Sequence, residues 1–102
     1  MKIKEYLKGR DGDIFDQAVV RGITYEKLGK EYRLTRARIG QIIDRVVYMQ
    51  QLLKKYGNIE TDLAKKLDHK GFKNLQQAKD MGTKIMMYPQ FGPMLYSRIM
   101  RA

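Results

Sequence analysis

A chain of 102 residues with 21 Lys and Arg against 11 Asp and Glu carries a formal charge of +10, enough on so small a surface to attract polyanions over a Debye length of ~8–10 Å. The length allows one domain, or two mini-domains sharing a core, and is too short to wrap a sizeable substrate pocket. Cysteine is absent, which excludes disulfides and thiolate metal sites; no apolar run nears the ~20 residues of a membrane span, and MKIKEYLKGR has no signal-peptide core, so a cytoplasmic chain without membrane contact is expected.

In chain order, Asp11-Gly12-Asp13 reads as a capping turn ahead of a first helix whose apolar side chains are Ile14, Phe15, Ala18 and Val19, stopped at Gly22. Thr24 offers an N-cap oxygen to a short helix over Tyr25–Tyr32, buried through Leu28 and Tyr32. Thr35 caps a longer helix in which Ile39, Ile42, Ile43, Val46, Met49 and Leu53 keep a helical period until Gly57. Beyond it, Asn58 is expected to cap Ile59–His69, Asn74 a short helix ending at Gly82, and Thr83 another that Pro89 halts; a last helix carries Leu95, Ile99 and Met100. No alternating run proposes a strand. The expected fold is all-α: a trihelical helix-turn-helix over residues 1–57, then a small helix-hairpin-helix-like bundle over 58–102.

The stretch from Thr24 to Ile43 is the informative one. In a helix-turn-helix the two helices approach closely, so one facing position must be small, and Gly29 meets that need despite a helix cost of ~1 kcal/mol. Leu28, Tyr32, Leu34, Ile39 and Ile42 occupy the positions that the motif buries. With Ile39, Ile42, Ile43 and Val46 turned inward, the opposite face centres on Ala37, Gln41, Asp44 and Tyr48, flanked by Gly40 and Arg45. On a duplex, Gln41 could pair bidentately with adenine, Ala37 touch a thymine methyl and an arginine fork onto guanine, while Asp44 confines reading to the first two turns. Arg33 stands at the turn position, where the motif ordinarily places a residue comfortable with positive φ.

Leu34-Thr35-Arg36-Ala37-Arg38-Ile39-Gly40-Gln41-Ile42 resembles the recognition helix of region 4 in primary bacterial sigma factors, and Thr24-Tyr25-Glu26-Lys27-Leu28-Gly29 resembles the segment before it. The likeness covers about residues 12–55. It implies a major-groove reader in which Arg36, Arg38 and Gln41 lie on the recognition helix, Arg36 and Gln41 foremost, while Thr24, Lys27 and Thr35 sit where phosphates pass. Arg33, Ala37, Gly40 and Arg45 complete the expected DNA-binding set. Ala37 and Gly40 depart from the family, which has Glu and Arg there, so two base-reading side chains are missing.

Residues 60–101 carry a fainter likeness. Leu67-Asp68-His69-Lys70-Gly71-Phe72-Lys73-Asn74-Leu75 and Met86-Met87-Tyr88-Pro89-Gln90-Phe91-Gly92-Pro93-Met94-Leu95 resemble the C-terminal domain of the RNA polymerase alpha subunit, a helix-hairpin-helix fold. That family offers backbone N–H groups to a phosphate after the hairpin glycine. Here Pro93, which has no N–H, follows Gly92.

Nothing in the sequence proposes catalysis: Ser97 lacks a nucleophile-elbow pattern, Asp11 and Asp13 belong to a capping turn, and no phosphate-binding loop or metal-ligand spacing occurs. His69 reads as a helix-end residue, not a ligand. No cofactor or metal is expected. Of seven methionines, five fall from Met81 onward, and core packing is their expected use over an adaptable contact surface. The expected function is sequence-specific double-stranded DNA binding by a small transcription-associated protein, sigma-like or regulatory and of phage or mobile-element type. The alternative is an adaptor that docks on RNA polymerase or another protein through the sigma-like half without reading bases; a packaging or recombination accessory protein is a weaker third reading.

Overall fold

The computed structural model describes every residue from Met1 to Ala102, and the fold is all-α. The helices are α1 (Ile3–Leu7), α2 (Arg10–Phe15), α3 (Tyr25–Tyr32), α4 (Arg36–Tyr56), α5 (Thr61–His69), α6 (Leu75–Asp80) and α7 (Pro93–Arg101). A π-turn, Asp16–Val20, extends α2, and a 3-10 helix, Gly82–Met87, follows α6. The only extended pairing is an isolated bridge between Lys2 and Glu60.

Three caps form as the side chains dictate. Thr24 accepts from the Lys27 N–H at 3.3 Å, Thr35 from the Arg38 N–H at 3.1 Å and Asn74 from the Gln77 N–H at 2.8 Å, each satisfying a donor that the first turn leaves free. Asn58 does otherwise. Its Oδ1 accepts the Lys4 N–H at 2.9 Å, so α5 starts at Thr61 behind Glu60 and not at Ile59.

The amino terminus supplies the structure that the local pattern missed. Ile3 is fully buried and its N–H donates to the Ile59 carbonyl at 3.0 Å, while the Thr61 N–H donates to the Met1 carbonyl at 2.9 Å. Asp11-Gly12-Asp13 lies inside α2, behind the N-cap Gly9, and is not a turn. Gly12 is there because α1 runs so close that a Cβ would stand 1.7 Å from the Leu7 carbonyl oxygen.

Two apolar clusters share the long helix. Ile14, Leu28, Ile39, Ile42 and Ile43 join α2, α3 and the start of α4, with Phe15, Ala18, Ile23, Tyr32 and Leu34 half-buried against them. The larger cluster gathers Ile3, Met49, Leu52, Tyr56, Leu63, Leu67, Phe72, Ile85, Phe91 and Ile99 among others. Packing therefore changes hands within α4, between Ile43 and Met49, while the chain crosses from the first expected segment to the second at Gly57. Leu52 is the fully buried side chain of the last turns and Leu53 only borders the core. Val19 is 57 % exposed, outside the face on which the period placed it. The molecule measures 49 × 22 × 19 Å with a radius of gyration of 16.4 Å, against ~13 Å for a compact 100-residue domain. The elongation follows α4, whose 21 residues span both clusters over roughly 31 Å at ~1.5 Å per residue.

Candidate nucleic-acid interface

α3 and α4 are joined by Arg33, Leu34 and Thr35 alone. Arg33 adopts the left-handed conformation, φ 59° and ψ 44°, and both its N–H and that of Leu34 close on the Gly29 carbonyl, the latter at 2.8 Å. The turn thus has the positive φ that the motif requires, at an arginine that gains nothing sterically from it. Gly29 is required by the turn itself: a Cβ would lie 2.5 Å from the Leu34 carbonyl oxygen. The close approach is to the returning backbone, not to the facing helix.

A polar lock sets α3 against α2. The Tyr32 hydroxyl donates to Asp13 at 2.9 Å and accepts from the Gln17 amide at 2.8 Å. Desolvation, then the bond to Asp13, holds the Tyr32 phenol above its ordinary pKa. With Leu28 fully buried beneath, α3 is fixed over the first turns of α4.

On that frame Thr24, Lys27, Arg33, Thr35, Arg36, Ala37, Gln41 and Arg45 are all exposed, and Arg38 and Gly40 are half-buried. Thr24 and Thr35 use an oxygen lone pair as caps, which leaves each hydroxyl hydrogen free to donate to an anion. Arg36 and Ala37 form the opening of α4, where backbone N–H groups and the helix dipole add to the positive potential. Arg38 reaches forward along the helix, its guanidinium donating to Gln41 Oε1 at 3.3 Å, so that the Gln41 amide NH2 remains as a donor. Gly40 lies beneath α3: a Cβ there would meet the Tyr25 ring at 3.8 Å, ordinary contact that alanine would tolerate.

Tyr48, placed by the period on the open face, does not belong to it. Its hydroxyl donates to Asp68 Oδ2 at 2.8 Å while Lys55 holds the other carboxylate oxygen at 2.7 Å, tying α4 to α5. The open face therefore ends near Arg45. Lys30, on the exposed side of α3, adds a cation that the motif comparison passed over, because only its charge and position mark it.

Cations outnumber acids at this end, where Glu26, Glu31 and Asp44 are the exposed carboxylates of α3 and the first half of α4. The molecule has four ion pairs, Met1–Glu60, Arg10–Asp11, Lys55–Asp68 and Arg98–Asp62, and none involves a residue of α3, its turn or the first half of α4. Lys27, Lys30, Arg33, Arg36, Arg38 and Arg45 thus form no ion pair within the chain.

The hairpin segment does different work. Phe91 is buried edge-on to Tyr88, with ring centroids 5.8 Å apart, and Pro93 opens α7 behind Gly92. None of the five late methionines is buried: Met81 and Met100 are half-covered and Met86, Met87 and Met94 are exposed, the last two by more than four-fifths. The expectation that these methionines fill the core is corrected accordingly. No His, Cys, Asp and Glu cluster is arranged to hold a metal ion, and no helix is long and apolar enough to cross a membrane.

No known protein-family model, curated protein or solved structure matches the chain at a significant level.

Proposed function

We propose that the chain binds double-stranded DNA as a small transcription-associated protein, with the first two turns of α4 in the major groove. The observation that carries the reading is the set of six unpaired cations around a helix-turn-helix turn whose open face is slim enough, at Ala37, for close approach. Lys27, Lys30, Arg33 and the Thr24 and Thr35 hydroxyls serve the phosphates and set the register. Arg36 forks onto a guanine, Ala37 meets a thymine methyl and Gln41 reads the next step.

The test is a salt titration of binding to a mixed-sequence duplex. The affinity falls linearly on logarithmic axes, and each phosphate contact removed, as in Lys27→Ala, flattens the slope by ~0.9. Arg36→Ala weakens a selected site by about 1–3 kcal/mol and relaxes its preference at one position. Absence of any salt-dependent duplex affinity in the unsubstituted chain would falsify the reading.

A second reading draws on a separate observation. Met86, Met87 and Met94 expose soft, adaptable apolar surface in the C-terminal half, of the kind that suits a protein partner. In that reading the chain is an adaptor on RNA polymerase, and capture of polymerase survives both nuclease and Arg36→Ala.

A further inference from the structure

The π-turn after α2 presents an unusual surface. Its i→i+5 bond, Arg21 N–H to the Asp16 carbonyl at 3.1 Å, stacks Arg21 one turn from Asp16, and Val19 and Val20 stand between them 57 % and 75 % exposed. Two consecutive valines in so rare a backbone form leave most of their surface uncovered by their own molecule. Both flanking charges are exposed, and neither forms an ion pair or a side-chain hydrogen bond within the chain. The segment leads directly through Gly22 and Ile23 to the Thr24 cap, so it lies beside the candidate DNA face.

We infer that this patch docks on the same patch of a second copy of the chain when the two sit side by side on DNA. The inference rests on the DNA-binding reading above. Self-complementarity favours this occupant: in a two-fold arrangement Asp16 of each copy meets Arg21 of the other, twice, around four valines. Size and charge then decide when it forms. Two valines per copy fall far short of the ~800 Å² per partner of a stable interface, and two bodies of charge +10 repel each other in free solution. Phosphates remove that repulsion. The cross-section of 22 × 19 Å also lets two copies lie side by side over roughly 40 Å, a little more than one helical turn of the duplex at ~34 Å. The contact therefore couples neighbours on DNA and leaves the free protein monomeric.

The experiment compares binding isotherms on a long mixed-sequence duplex with those on one of about 10 base pairs, roughly 34 Å at ~3.4 Å per step, which is too short for two copies side by side. The wild-type chain sediments as a monomer alone and binds the long duplex cooperatively, a neighbour raising affinity on the order of 5–150-fold. Val19→Ser with Val20→Ser keeps the short-duplex affinity and loses the cooperativity. Asp16→Arg alone and Arg21→Asp alone lose it as well; the double exchange D16R/R21D, which restores the net charge, recovers it. All four positions are exposed, and helical circular dichroism checks that each variant folds. Non-cooperative binding by the wild type, cooperativity surviving the double serine change, or failure of the double exchange to recover it overturns the inference while leaving DNA binding intact. A stable dimer without DNA overturns it too, whereas no duplex affinity of any kind refutes the underlying reading itself.

Discussion

Gly29 and Arg33 carry the turn in opposite ways. Gly29 cannot take a side chain, because the Leu34 carbonyl stands 2.5 Å from where its Cβ would be. Gly29→Ala gains up to ~1 kcal/mol of helix propensity but must displace backbone at a cost of roughly 1–3 kcal/mol or more; a net loss of about 1–2 kcal/mol in urea unfolding is expected. Arg33 sits at φ 59°, where an L side chain costs ~1–2 kcal/mol. Arg33→Gly should therefore stabilise the fold by about 0.5–1 kcal/mol and yet weaken duplex binding, since a cation is lost. Thermal melts and salt titrations of the same variant separate the two effects. The small residue and the turn position were legible from sequence, because the motif fixes their offsets. That the turn carbonyl, not the facing helix, forbids a Cβ at Gly29 was not, because it depends on where the chain returns.

At the level of elements, the junction of α4 and α5 rests on Tyr48, Lys55 and Asp68. Tyr48→Phe removes one hydrogen bond and should lower stability by about 1 kcal/mol in chemical unfolding. The pH dependence follows from the shifts. The hydrogen bond from Lys55 is the largest cause holding the Asp68 carboxyl below its ordinary value, and that from Arg98 does the same for Asp62. Their contribution is present above the unfolded carboxylate pKa of ~3.9 and is lost as pH falls through the depressed folded values. Burial, with the bond to Asp68, pushes the Tyr48 phenol up to about 12; its contribution is complete below the unfolded value of ~10 and disappears as pH climbs toward 12. Melting temperature against pH should fall on both limbs, and Asp68→Asn should flatten the acid one. The caps at Thr24, Thr35 and Asn74 could be read in advance because each acts on its own helix. α1 could not: it is five residues long, and what holds it, Ile3 in the far core and a backbone bond to Ile59, comes from more than fifty positions away. Asn58 was misjudged for the same reason, its oxygen being taken by Lys4.

At the scale of the whole molecule, one long helix carries two cores, and only Arg10, Lys55 and Arg98 among the side-chain cations are neutralised by ion pairs. Ion pairs secure the termini and the α4–α5 junction, while α3 and the opening of α4 keep six cations unpaired. The basic excess was visible in composition; which cations find an ion-pair partner depends on tertiary neighbours and emerged only from the fold. The same holds for the methionines, expected in a core that Phe91, Ile85 and Ile99 in fact occupy. The most direct measurement is equilibrium binding of the chain to a mixed-sequence duplex across a range of salt concentrations, repeated with Arg36→Ala, Lys27→Ala and a control at the distant Lys65. The account predicts steep salt dependence, flattened by the first two changes and little altered by the third. Equal flattening by Lys65→Ala, or affinity indifferent to Arg36 and Lys27, would contradict it.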